Sequence, residues 1–165
     1  MPLEIERRFL IKDEGWKHYV QDSSFIEQGY LAASSTDWIV RIRKEKSKYT
    51  LALKKHINRI TNHEFEYEIP YSEGEIIISN IKNTIKKRRH YLIINKQEWV
   101  IDCFEDKNFP LEIAEIELKN NKEVVKVPSF ISKEISGLKS FSNYELSKYP
   151  FETWKKVERN NLFTH

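Results

Sequence analysis

Charged side chains recur on every second residue in several short stretches of the chain. These sets are Glu4, Glu6 and Arg8; Arg41 and Arg43; Lys54; Glu64, Glu66 and Glu68; Lys87 and Arg89; and Glu115 and Glu117. Because side chains alternate between the two faces of a strand, each set lies on one face and apolar neighbours such as Ile5, Ile42 and Ile116 lie on the other. A small domain that exposed one face of every strand would bury too little apolar surface to fold. The pattern therefore predicts that helices and loops cover the apolar faces and that the charged faces line a cavity.

Composition limits the class of protein. The chain has 165 residues, which fits a single domain over residues 1–165. Its net charge is only +3, so the total does not favour a nucleic-acid or membrane partner. With one cysteine, Cys103, and no apolar run of the length of a signal peptide or membrane span, we expect a cytoplasmic protein. Cys103 is expected in the core, since no His and Asp arrangement accompanies it.

The hydrophobic pattern predicts two runs of short strands on either side of a helix. The predicted strands are Glu4–Ile11, Gln28–Ala33, Trp38–Lys44, Tyr49–Lys54, Glu64–Ile69, His90–Ile94, Glu98–Phe104 and Leu111–Lys119, with a turn at Asn95–Lys96. Between the runs, Ser72 and Glu75 fit a capping box, and the helix leads to the basic cluster 86–89. A short helix over Ser129–Ile135 and an amphipathic C-terminal helix over about 151–162 are also expected. The predicted fold is α+β, mainly β: an eight-stranded antiparallel closed β-barrel with flanking helices.

Two pairs of carboxylates predict a metal site. Glu4 and Glu6 share one strand face, and Glu115 and Glu117 share another. Four carboxylates around one cavity repel each other, and a hard divalent cation relieves that repulsion. Oxygen ligands favour Mg²⁺ or Mn²⁺ over zinc or copper.

Basic residues at the inward positions of other strands predict an anion site. Arginine grips phosphate oxygens with two parallel hydrogen bonds, and lysine supplies a point charge, so this set matches a polyphosphate. The predicted phosphate ligands are Arg41, Arg43, Lys54, Lys87 and Arg89. Only 4 glycines are present, which makes a glycine-rich phosphate loop very unlikely. Taken one pair at a time, the charges could instead be solvated cross-strand ion pairs.

The opening segment 4–10, Glu-Ile-Glu-Arg-Arg-Phe-Leu, resembles the Glu-x-Glu-x-Lys motif of the CYTH family of triphosphate tunnel metalloenzymes. Later blocks resemble the family in the expected order, over about residues 3 to 146. They are Gln28–Leu31, Val40–Arg43, Leu51–Lys54, Glu66–Ile69, Lys87–Arg89, Ile101–Phe104, Ala114–Leu118 and Lys133–Glu134. The resemblance implies an eight-stranded tunnel that binds a triphosphate with divalent metal.

The resemblance also implies roles for individual residues. Metal would be held by Glu4, Glu6, Asp102, Glu115 and Glu117, and phosphate by Arg8, Arg41, Arg43, Lys54, Lys87, Arg89 and Lys133. Arg8, Glu66 and Glu68 would be catalytic, the two acids by orienting water or binding a second metal. The chain departs from the family at two places: Arg8 replaces the motif lysine, and Ser140 stands where an Arg-Tyr-Ser-Asn run often begins.

The function expected from the sequence is metal-dependent hydrolysis of inorganic tripolyphosphate or a related small triphosphate. A nucleoside triphosphatase or class IV adenylate cyclase is the alternative enzyme, and a non-catalytic polyphosphate or nucleotide-binding module is the alternative from another class. The cluster Lys86–His90 raises the further possibility of a nucleic-acid reader. We do not expect nucleic acid or membrane as a partner, and the sequence leaves open whether the protein is a monomer or a homodimer.

Overall fold

The computed structural model of the chain describes residues 3–33 and 37–162, and the strands in these ranges form one nine-stranded antiparallel sheet. The strands are β1 (Leu3–Ile11), β2 (Val20–Ala33), β3 (Trp38–Glu45), β4 (Lys48–His56), β5 (Thr61–Ile69), β6 (Ile85–Ile94), β7 (Gln97–Phe104), β8 (Glu112–Glu117) and β9 (Ile131–Glu134). The α-helices are α1 (Tyr71–Ser79), α2 (Asn143–Lys148) and α3 (Lys156–Asn161), and 3₁₀ helices span Gly15–Tyr19, Asp106–Asn108, Lys139–Phe141 and Phe151–Thr153.

The first eight strands of the described chain close into a barrel. Strands β2 to β5 form one meander and β6 to β8 another, with β2 beside β6. Strand β1 closes the ring because it pairs with β8 along Glu6–Leu10 and with β5 along Leu3–Ile5. The second half of β1 also pairs with β9, which lies outside the ring of eight. The predicted closed antiparallel barrel is confirmed.

Two hairpins turn on pairs of residues with positive φ. Lys46 and Ser47 join β3 to β4, and Asn95 and Lys96 join β6 to β7, all with φ between 50° and 65°. Two successive left-handed residues match the right-handed twist of the flanking strands, so these turns keep the hairpins tight. The turn predicted at Asn95–Lys96 is confirmed.

Apolar side chains cover the outside of the barrel in two separate clusters. The 3₁₀ helix over Gly15–Tyr19 places Trp16 on the outer faces of β1, β7 and β8, where Trp99 is 1% exposed. On the opposite side, α1 places Ile78 against Ile42 and Tyr49. A Cβ atom on Gly74 of α1 would overlap the ring of Tyr49, so this close approach requires glycine.

A third apolar cluster fills one end of the barrel. Leu10, Ile85, Phe104 and Ile113 occupy the same strand faces as the charged residues, each two positions from the nearest of them. Residues after β9 pack onto this cluster, chiefly Phe141, Leu146 and Phe151, which are each 3% exposed or less. We call these C-terminal residues, 139–151, the end wall, because they close this end of the barrel.

Several local predictions from the sequence were wrong. Helix α1 begins after Pro70 without a side-chain cap and ends at Ser79, so the basic cluster 86–89 lies within β6. The segment predicted as a helix over Ser129–Ile135 contains β9, because its backbone finds hydrogen-bond partners on the free side of β1. In place of one C-terminal helix over 151–162, the structure has a 3₁₀ helix and α3. Among the described residues, no helix is long and apolar enough to cross a bilayer.

Candidate active site

Charged side chains from strands that are not neighbours meet in the interior of the barrel. The Lys54 ammonium on β4 lies 2.7 Å from a Glu4 carboxylate oxygen on β1, and Arg41 on β3 lies 3.1 Å from Glu66 on β5. Neither pair of strands is adjacent in the sheet, so these contacts span the inside of the ring. The charged strand faces therefore meet inside the barrel, as predicted, and we call this interior the tunnel.

Acidic side chains surround Lys54 in one part of the tunnel. Its Nζ also lies 3.8 Å from Glu6 Oε1 and 3.7 Å from Glu64 Oε2. Burial opposes a charged ammonium, but attraction to Glu6, Glu4 and Glu64 outweighs it and raises the pKa of Lys54. Lys54 therefore stays protonated and partly neutralises three carboxylates.

The acids exceed the cations in this region. Burial first, and repulsion by Glu115 second, raise the pKa of Glu6 to about 7. Burial, together with a hydrogen bond to Glu66, raises the pKa of Glu64 to about 8. Glu117 is exposed at the end of β8, but partial desolvation and repulsion by Glu4 still raise its pKa. Elevated carboxylate pKa values mean that ionised acids are disfavoured here unless another cation joins them.

The acidic set fits a divalent metal in its chemistry. Two buried carboxylate oxygens, Glu64 Oε2 and Glu115 Oε2, accept no hydrogen bond from the residues that the structure describes. Every atom that these acids could offer to a metal is an oxygen. A hard cation would satisfy those oxygens and offset the repulsion that raises the pKa values. In the described ranges, no three His, Cys, Asp or Glu side chains already converge as a metal cage, so the residence of a metal remains a prediction.

Buried guanidinium groups in the tunnel carry unused hydrogen-bond donors. Arg8 and Arg41 are each 8% exposed, and within the described part of the chain Arg8 Nε and Nη2 and Arg41 Nε donate no hydrogen bond. Arg8 Nε does lie 3.6 Å from Glu115 Oε2, which is an ion pair too long for a hydrogen bond. Buried donors without acceptors are costly, so these groups favour the binding of an anion with several oxygens.

Asp102 binds two of the predicted phosphate ligands. Its Oδ2 accepts hydrogen bonds from Lys87 Nζ at 2.7 Å and Arg89 Nη2 at 2.8 Å, and its Oδ1 accepts from Arg89 Nε at 2.7 Å. Although burial opposes it, attraction to Arg89 and Lys87 holds the pKa of Asp102 well below its usual range. Both oxygens are thus occupied by protein donors. This differs from the expected metal-ligating role: here Asp102 orients cations.

Strong desolvation opposes the charged forms of Arg43 and Lys87. Burial lowers the pKa of Arg43 to about 10, with repulsion from Arg41 and Arg89 adding to it. Burial likewise lowers the pKa of Lys87, which is 0% exposed, to about 7. A polyanion beside these groups would favour their charged forms.

Other predicted site residues lie nearer to solvent. The Glu66 side chain is 44% exposed where it pairs with Arg41, and the Glu68 side chain is 60% exposed and lies 3.5 Å from Lys48. Glu117 is also exposed. Lys133 is exposed on β9, outside the ring of eight strands, so the structure does not bring it together with the tunnel cations.

Sequence reasoning missed several polar residues of the tunnel. Glu45 continues the alternation of Arg41 and Arg43, and its carboxylate accepts hydrogen bonds from Ser24 and Tyr91. On β2, Gln28 accepts from Arg43 Nε at 2.9 Å and donates to Tyr30 at 2.9 Å. The alternation itself could have found Glu45, whereas the neutral residues of β2 carry no charge pattern.

Comparison with known proteins identifies the family. The family model described as the CYTH domain matches residues 2–143. The chain belongs to the CYTH domain family. The expected resemblance is thereby confirmed over most of the chain.

Individual relatives extend the comparison. An inorganic triphosphatase from Acetivibrio thermocellus is 32% identical over 158 residues, covering 94% of this chain and 100% of that protein. The crystal structure of the inorganic triphosphatase NE1496 superposes with a TM-score of 0.65 and 22% identity, covering 87% of this chain and 93% of the other. HpAC1 from Hippeastrum, described as a candidate adenylyl cyclase with a dominant triphosphatase activity, has a TM-score of 0.53 and 14% identity, covering 73% of this chain and 80% of the other. At these identities the two structures support the fold alone.

Proposed function

We propose that this protein hydrolyses inorganic tripolyphosphate, or a related small triphosphate, inside the tunnel with the help of Mg²⁺ or Mn²⁺. The proposal rests on one observation: buried N–H groups without acceptors and buried carboxylate oxygens without hydrogen-bond donors lie together inside the barrel. Among residues 3–33 and 37–162, buried guanidinium N–H groups of Arg8 and Arg41 lack acceptors, while carboxylate oxygens of Glu64 and Glu115 lack hydrogen-bond donors. A metal-bound triphosphate would supply oxygens to the first set and positive charge to the second. The 32% identical inorganic triphosphatase supports the same substrate class.

The basic residues of the tunnel would bind phosphate, and its acidic residues would bind the metal. Arg8, Arg41, Arg43, Lys87 and Arg89 would bind phosphoryl oxygens and stabilise the charge that develops on them during transfer. Glu4, Glu6, Glu115 and Glu117 would hold the divalent ion, which when bound would neutralise phosphate charge and polarise the phosphorus–oxygen bond. The pKa of Glu66 is lowered, by a hydrogen bond from Glu64 and despite burial, so Glu66 is ionised and can orient a water molecule near the exposed side of the tunnel.

A substrate panel tests the proposal. Tripolyphosphate, pyrophosphate, ATP and thiamine triphosphate would each be incubated with Mg²⁺, Mn²⁺ or chelator, and released phosphate and cyclic AMP would be measured. We expect phosphate release from tripolyphosphate that requires metal. Cyclic AMP from ATP would indicate the cyclase instead, and tight binding without phosphate release would indicate a non-catalytic binding module.

A matched pair of variants distinguishes the loss of a tunnel arginine from the loss of one positive charge anywhere on the protein. Arg41→Gln removes a buried tunnel cation, whereas Arg88→Gln removes an exposed arginine of β6. We expect kcat/KM to fall by about 100-fold or more in the first variant, in line with the loss of a charge-stabilising donor, and to stay near wild type in the second. Equal effects of the two changes would refute a tunnel site. Location in the cytoplasm stays a prediction.

A further inference from the structure

The end wall touches the tunnel cations directly. Lys87 Nζ donates a hydrogen bond to Asn143 Oδ1 at 3.1 Å, and Arg8 Nη1 donates to the Phe141 carbonyl at 2.9 Å. Lys87 lies on β6 and Arg8 on β1, so two cations from separate strands reach acceptors two residues apart on one segment. Residues 141–143 therefore form part of the tunnel lining.

Asn143 supplies Lys87 with a neutral acceptor. Lys87 is 0% exposed, and its ammonium has two hydrogen-bond acceptors among the described residues, Asp102 Oδ2 and Asn143 Oδ1. Asp102 also accepts hydrogen bonds from Arg89, so the position of its carboxylate depends on both cations. The Asn143 side chain, as far as the described residues go, forms a hydrogen bond with Lys87 alone. A neutral amide orients the ammonium without cancelling its charge, which leaves the charge available to an anion.

The surrounding contacts hold Asn143 in place. It is the first residue of α2, whose start is capped by Ser142 through a hydrogen bond from Glu145 N at 3.1 Å. Leu146 anchors the same helix in the end-wall cluster at 1% exposure. Tyr144 adds an edge contact with Tyr30 of β2, at 5.4 Å between ring centroids. The backbone that carries Asn143 is thus held by contacts of the neighbouring residues on both sides.

We propose that Asn143 is a positioning residue: its amide oxygen holds the Lys87 ammonium in the orientation that binds the polyphosphate anion. This inference rests on the proposed function and adds to it a specific contribution of the end wall to anion affinity. In Asn143→Ala, Lys87 loses an acceptor and is free to turn fully towards Asp102. In Asn143→Asp, an oxygen remains in the same place but carries a negative charge that opposes the bound anion.

The experiment measures tripolyphosphate binding by calorimetry and steady-state kinetics with Mg²⁺, alongside thermal unfolding. We expect Asn143→Ala to raise Kd and KM about five- to tenfold with kcat changed less than threefold. We expect Asn143→Asp to raise Kd more than tenfold while its Tm stays at or above that of wild type, since an acidic residue suits the start of a helix. Ser147→Ala, on the same helix, should leave Kd unchanged.

A second control separates positioning from simple stability. Leu146→Ala weakens the packing of α2 against the barrel but keeps Asn143 as an acceptor of Lys87. It should therefore lower Tm more than Asn143→Ala does, and raise the Kd for tripolyphosphate less. The inference is overturned if both Asn143 variants bind tripolyphosphate like wild type, or if Kd follows Tm across all four variants. Wild-type protein that binds tripolyphosphate without releasing phosphate would refute the proposed hydrolysis and leave this test intact. Failure of wild type to bind it at all would refute both.

Discussion

Replacing Glu6 with glutamine should make the metal-free protein more stable at alkaline pH. The pKa of Glu6 is raised from 4.5 to about 7, chiefly by burial and then by repulsion from Glu115. Below pH 4.5 the carboxyl is protonated in the folded and unfolded chains and carries no penalty. As the pH rises from 4.5 to 7, the unfolded chain releases this proton first, so the stability of the folded state falls over that interval and stays lower above it.

The size of the effect follows from the shift. A change of one in pKa corresponds to about 1.36 kcal/mol of folding free energy. The rise of the Glu6 pKa from 4.5 to about 7 therefore destabilises the folded state at high pH by at most about 3.4 kcal/mol. Because the charge on Glu6 interacts with Lys54 and with neighbouring carboxylates, part of this penalty would pass to its neighbours. We expect Glu6→Gln to be more stable than wild type by about 1–3 kcal/mol at pH 8.5 and by less than about 0.5 kcal/mol at pH 4.5.

Urea unfolding in the presence of a chelator would measure this difference at both pH values. Glu98→Gln, at an exposed position of β7, is the matched control and should leave stability unchanged. Added Mg²⁺ should then stabilise wild type by mass action and stabilise Glu6→Gln much less. If Glu6→Gln were less stable than wild type at both pH values, Glu6 would not be a crowded tunnel carboxylate and the reasoning would be refuted.

Three further changes test other contacts of the fold. Asp102→Asn should lower the free energy of unfolding by about 3–5 kcal/mol, because it leaves two buried cations without their counter-ion; unchanged urea stability would contradict this. Glu134, whose pKa is lowered to about 2 chiefly by the hydrogen bond from Arg7, should stabilise the fold above about pH 4.5 and lose that contribution as the pH falls towards 2. Glu134→Gln should therefore flatten the acid part of the stability–pH curve, and a parallel curve would argue against the pairing. Gly74→Ala should cost about 1–3 kcal/mol through overlap with Tyr49, and wild-type Tm would show that α1 can move away.

The barrel could be predicted from the sequence because its charge pattern has the period of a strand. Alternation identified Glu6, Arg41 and Lys87 as residues of one shared interior, and cross-strand contacts now confirm that they face it. The Asn95–Lys96 turn could also be predicted from the sequence, since asparagine tolerates the left-handed backbone of a tight hairpin. Both features could be predicted because each depends on residues that are close together in the sequence.

Long-range pairing decided what the sequence could not show. Strand β9 looked helical by its spacing, yet its backbone pairs with β1, more than a hundred residues earlier in the chain. The use of Asp102 as an anchor for Lys87 and Arg89 depended on the register of β6 and β7, which no local pattern reports. The contact of Asn143 with Lys87 was missed for the same reason: the run that begins at Ser140 resembles a family motif, but which strand it meets shows only once α2 is placed beside β6.

Diffraction from crystals soaked with tripolyphosphate and Mn²⁺, recorded at the manganese absorption edge, tests the central claim most directly. The account predicts an anomalous peak inside the barrel beside Glu6 and Glu115, with phosphoryl oxygens on the free N–H groups of Arg8 and Arg41. Manganese and phosphate bound only to the outer surface, with the tunnel ion pairs unchanged, would contradict it.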